Sequence, residues 1–123
     1  MKVKNIELLN SVEALAKINA AELGIKASYK VAKTIKTVED TLSLYNSEKK
    51  KLFSKYGEKK EDGELNIDEN GQLKILDTIQ FNNDLEELNN IEVELELEKL
   101  DIEELNGVVL TPGEVITIDY LIK

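Results

Sequence analysis

The chain has 123 residues, 41% hydrophobic and 33% charged, which leaves room for one core and is too apolar for general disorder. All 16 basic residues are Lys, and there is no His, Cys or Trp, so Ser–His and Cys–His catalysis, disulfides and thiolate metal sites are excluded. The net charge of −9 is uneven: residues 1–60 hold 13 Lys against 7 acids, residues 61–123 hold 3 Lys against 18. Packing of the two halves against each other, with partial neutralisation, is the expected reason.

Met1 to Asn5 precede no apolar signal core, and no apolar run is long enough to span a bilayer. A first helix is expected over Asn5 to Ala20, with Leu8, Leu9, Val12, Leu15, Ala16 and Ile18 mainly on one side. Asn5 would cap it and Gly24 would stop it.

From Ser28 to Tyr56 no Pro or Gly interrupts the chain. Val31, Ile35, Val38, Leu42, Tyr45, Lys49, Leu52 and Tyr56 alternate spacings of four and three, a heptad seam with one polar member, Lys49. A helix of this extent is about 43 Å long, more than a compact domain of this mass is wide. Part of it is therefore expected to project or to find cover from another chain. Lys49 would either fix register in such a pairing or mark where the helix has left the core. Gly57 is the expected stop.

Residues 57–63 read as a solvated connection. Leu65 and Ile67 then face Leu73 and Ile75 across Asp68-Glu69-Asn70-Gly71, where Asn-Gly favours a tight hairpin turn because both residues tolerate positive φ. Asp77 with Gln80 predicts a capping box, and Ile79, Phe81, Leu85 and Leu88 an apolar helical face. Glu92 to Glu98 alternate charged and apolar residues, the pattern of a strand with one wet face. Leu100 to Leu105 suggest a turn and Val108 to Leu110 a short strand. Thr111-Pro112-Gly113-Glu114 opens a last helix, with Thr as cap, Pro in first position and Glu closing the box. Its apolar face would be Val115, Ile116, Ile118, Leu121 and Ile122.

Three constellations resemble sites. Asn66 to Asp77 approximates a calcium loop, but Asn66 stands where an anion belongs, Asp77 where a longer Glu is needed, and Lys74 interrupts the ligands. An ordinary hairpin explains it better. The Glu92, Glu94, Glu96 and Glu98 ladder could bind cations or mimic a nucleic acid, and a solvated strand face explains it as well. Lys30, Lys33 and Lys36, with Lys49 to Lys51, Lys55, Lys59 and Lys60, lie near Tyr45, Phe53 and Tyr56. Without Arg, and at −9 overall, direct nucleic-acid binding is not expected.

Ile25-Lys26-Ala27-Ser28-Tyr29-Lys30, the helix closing with Lys55-Tyr56-Gly57-Glu58-Lys59 and the Asp-Gly/Asn-Gly hairpin give the chain a recognisable order. Phe81-Asn82, Glu92-Val93-Glu94-Leu95 and Leu110-Thr111-Pro112-Gly113-Glu114 continue it. In this order the chain resembles a group of small tailed-phage and prophage proteins of Firmicutes that has no established chemistry. The resemblance implies a viral origin and the cytoplasm of an infected bacterium.

The expected fold class is α+β: a long N-terminal helical hairpin, then a small antiparallel β element with two further helices. It forms a single domain over 1–123, helical in 1–57 and mixed in 64–123. The expected function is a phage-encoded, non-enzymatic interaction protein without cofactor or metal. It would self-associate, as a dimer by preference, through Val31, Ile35, Val38, Leu42, Tyr45, Lys49, Leu52 and Tyr56, and bind a phage or host protein. The alternative is an acidic inhibitor of a host nucleic-acid enzyme or defence complex, its acidic half competing for a basic groove. Sequestration of a small signalling molecule at a subunit boundary is disfavoured, because only Lys could hold its phosphates.

Overall fold

The computed structural model describes residues 1–123 and is an α+β structure. Its elements are β1 (Lys2–Lys4), α1 (Asn5–Asn10), α2 (Val12–Ala20), α3 (Ile25–Tyr56), α4 (Thr78–Asn89), β2 (Glu92–Glu94) and α5 (Pro112–Thr117), with short 3₁₀ turns at Ile102–Leu105 and Asp119–Leu121. The chain packs as two units, Met1–Leu42 with Glu92–Lys123, and Ser43–Ile91; α3 contributes to both.

In the first unit, the expected single helix over Asn5 to Ala20 is broken at Ser11. The Ser11 hydroxyl, fully buried, donates to the Leu8 carbonyl at 2.7 Å and shares a 2.8 Å bond with the Tyr120 hydroxyl. This competition for a backbone carbonyl is what lets a mid-helix Ser interrupt a ladder. Asn5 is not the cap: Lys4 holds that position, and Asn5 is a buried first residue of α1. α1 approaches β1, α2 and α5, and α2 approaches α1 and α5.

β1 and β2 pair antiparallel, with Lys2 opposite Glu94, Val3 opposite Val93 and Lys4 opposite Glu92. Opposite charges thus face each other across the ladder, a favourable arrangement. Only three residues of the expected strand Glu92 to Glu98 join it, because in this antiparallel register Glu94 already faces Lys2, the first residue of β1. The alternation still sets burial: Val93 and Leu97 are half-buried, Leu95 is buried, and the four Glu are exposed. The expected strand at Val108 to Leu110 is absent, and Val109 is 87% exposed. α5 starts as its sequence dictates, with Thr111 and Glu114 forming a reciprocal capping box around Pro112. The apolar contribution comes after the helix, from buried Ile118 and Leu121, while Val115 and Ile116 are exposed.

The second unit begins with the last turns of α3. Residues 57–63 are not a free connection. They form the first arm of a bridged segment, in which Gly57 meets Ile75, Lys59 meets Leu65 and Ile67 meets Leu73, all antiparallel. Two turns of one design close it. Lys60 receives the Gly63 amide, Asp68 receives the Gly71 amide, and both Gly are in the left-handed region. Asn70 is not, so the turn is a four-residue turn ending in a left-handed Gly, in place of the expected two-residue Asn-Gly turn. Gly57 is needed for space: a Cβ there would lie 2.5 Å from the Phe53 carbonyl and 2.8 Å from the Leu73 side chain. Asp77 caps α4 by accepting the Gln80 amide. The Gln80 side chain turns to Asp84 instead of completing a box, and Ile79 is 76% exposed.

Candidate functional site

The heptad seam falls inside the packing. Val31, Val38, Leu42, Tyr45 and Tyr56 are buried, and Ile35, Lys49 and Leu52 are half-buried. The helix is uninterrupted, as its period demands, and slightly longer than expected: 32 residues, or about 48 Å. Its apolar stripe is covered by its own chain. The Tyr45 hydroxyl donates to Asn89 Oδ1, and the Tyr56 hydroxyl to Asp84 Oδ2, each at 2.5 Å. Phe81 packs on Phe53 and edge-on to Tyr56, with centroids 5.3 and 6.1 Å apart. Lys49 keeps its amine 6.0 Å from the Tyr45 ring centroid, so its stem lies at the border of the stripe. Five of these eight residues are core and the other three lie at its border, so a partner using the whole seam would first have to displace that core.

The outer side of α3 is different. Ile25, Tyr29, Lys33 and Lys36 recur at four, four and three residues on the side opposite Ala27, Thr34 and Val38. Ile25 is 85% exposed and Tyr29 64%, so two large apolar side chains stand next to each other on this side. The Lys33 amine sits 4.9 Å from the Tyr29 centroid, holding the ring in a cation–π contact. Two shallow recesses adjoin the first turn. One, about 380 Å³, lies along Ile25, Tyr29, Lys30 and Glu98; the other, about 600 Å³, along Leu23, Ile25, Glu22, Glu103 and Glu104. The helix expected from Ser28 excludes Ile25, whereas α3 starts there. The signal that finds this face is the four-residue spacing of Ile25 and Tyr29, out of phase with Val31 and Val38.

The remaining charged groups have structural partners or none. Lys30 is spent on Glu104, at 3.1 Å. The Asp101 amide and the Lys30 amine hold the Glu104 carboxyl below its usual range, and Lys17 and the Thr111 amide do the same for Glu114. Asp84 is lowered by the Tyr56 hydroxyl and the Gln80 amide. Asp68, central to the calcium-like stretch, accepts the Asn70 and Gln72 amides through Oδ1 at 2.9 and 2.8 Å, so that carboxylate serves its own turn. The Glu92 to Glu98 ladder is exposed along its length.

The charge asymmetry disappears on folding. The first unit carries nine Lys against fourteen acids, net −5, and the second seven Lys against eleven acids, net −4. No helix is long and apolar enough to cross a membrane. No family model matches the chain, and neither a curated protein nor a solved structure matches it.

Proposed function

We propose that the chain is a non-enzymatic interaction protein, phage-encoded, that binds a phage or host protein in the bacterial cytoplasm. The observation that carries this reading is the outer side of α3, where Ile25 and Tyr29 stand exposed together at helical spacing beside two recesses. Exposed aromatic and aliphatic side chains in such a pair are the usual anchors of a protein interface. The inventory argues the same way. Without His or Cys a catalyst would have to run on Asp, Glu, Lys, Tyr or a carboxylate-held metal, which is uncommon. Self-association through the seam lacks this support, since the seam is filled by its own chain.

Affinity capture with the intact protein and with Ile25→Ser, alongside light-scattering mass, tests the reading. The intact protein is expected to retain a partner through a high-salt wash, and Ile25→Ser to lose it. Equal retention by both would remove the face from the function. A second reading, an acidic inhibitor of a nucleic-acid enzyme, is favoured by one observation: Glu92, Glu94, Glu96 and Glu98 are all exposed on successive alternate residues. Binding of that kind collapses as salt rises, because it rests on screened charge.

A further inference from the structure

We infer that the outer face of α3 over residues 25–36 docks an acidic protein segment carrying an apolar anchor. This deepens the interaction reading and rests on it. Lys26, Lys33 and Lys36 are exposed there, and the face carries no acid before Glu39 and Asp40. It is a basic stripe on a unit whose net charge is −5. The first turn of α3 contains Lys26 and no Asp or Glu, so a positive side chain adds to the positive end of a 32-residue helix. That arrangement is locally unfavourable in the free protein, and an incoming carboxylate relieves it. Glu22, Glu98 and Glu103 stand near the first turn and offset part of this charge, so the complementarity is strongest further along, at Lys33 and Lys36. Lys30 takes no part, being paired with Glu104.

The apolar half of the match is Ile25 and Tyr29 with the recess between them and Glu98. Lys33 fixes the Tyr29 ring before any partner arrives, which lowers the ordering cost of binding. A segment that places an aliphatic or aromatic side chain in this recess would lay its carboxylates toward Lys33 and Lys36. Charge would set its approach and orientation, and the anchor its lifetime.

The test uses the full chain, ¹⁵N-labelled, titrated with a short helical peptide of Glu and Leu carrying one Phe. Saturable amide shifts confined to residues 25–36 are expected. Lys33→Glu with Lys36→Glu should weaken the complex about tenfold or more without change in far-UV circular dichroism. Ile25→Ser should weaken it at unchanged charge. No saturable shift, or shifts elsewhere, overturns the inference. So does an oligothymidylate that binds the same face as tightly as the peptide, which would make phosphate the ligand. A mass that doubles in solution and returns to monomer in Ile25→Ser overturns it in favour of a second copy. If a captured partner survives Lys33→Glu with Lys36→Glu, this surface is wrong while the interaction reading stands; if no partner is captured, that reading falls too.

Discussion

Glu104 and Glu114 perform the same pair of tasks at two places in the C-terminal stretch. Each accepts the backbone amide of its own N-cap, Asp101 or Thr111, and each receives a Lys from an earlier helix, Lys30 or Lys17. Both carboxyls are lowered in the folded state. Their stabilising contribution is therefore complete above the ordinary Glu value, about pH 4.3, and is lost as pH falls through the depressed folded values. The urea midpoint is expected to drop below about pH 4, and Glu104→Gln with Glu114→Gln to start lower and drop less, since Gln keeps the cap and cannot form the ion pair. Parallel pH profiles for the two proteins would refute this. At Ser11 the argument concerns burial. Ser11→Ala strands the Tyr120 hydroxyl, itself half-enclosed, and should cost about 1–2 kcal/mol. Tyr120→Phe in the same protein should recover part of that loss. Strictly additive losses in a double-mutant cycle would show the bond contributes nothing.

Among the elements, α3 was the most legible, because an unbroken 3.6-residue period without Pro or Gly leaves the backbone one good solution. The same period locates the stripe but says nothing about what buries it. A stripe of Val31, Val38, Leu42 and Tyr45 looks identical whether its cover is the same chain or another. Capping chemistry is as readable at Thr111, where both halves of the box form, and half readable at Asp77, which caps α4 while the Gln80 side chain turns to Asp84. Short elements were not. β1 has three residues, and its pairing with β2 depends on residues some ninety positions apart. The bridged segment at 57–76 is legible only in part, since its first arm, Gly57 to Lys60, is too polar to register as a strand. Leu42→Ala tests what covers the stripe. As core, Leu42 should cost about 2–5 kcal/mol in urea unfolding with no change in light-scattering mass. A small stability loss accompanied by a fall in mass would make the stripe an interface after all.

For the molecule as a whole, burial is distributed more unevenly than charge. The first unit holds fourteen buried hydrophobic residues, among them Leu8, Ile18, Leu100, Ile118 and Leu121; the second holds three, Tyr45, Tyr56 and Phe81. Those three are aromatic, and two direct their hydroxyls to polar partners on α4, Asn89 and Asp84. A unit of 49 residues with so small a core gains little from the hydrophobic effect per ordered residue, so its opening should cost less than global unfolding. Native-state hydrogen exchange is the measurement. The amides of Glu58, Lys60, Asn66, Asp68 and Leu76, which close the bridged segment, should exchange well before those of Leu15 and Leu100. Phe81 joins α4 to Phe53 and Tyr56 on α3, so Phe81→Ala should widen that gap: it removes the central ring, at about 3–5 kcal/mol, while protection in the first unit persists. If Phe81→Ala lowered protection equally everywhere, the two units would unfold as one. The long helix would then transmit stability across the boundary at Leu42 and Ser43 instead of leaving each side to its own core.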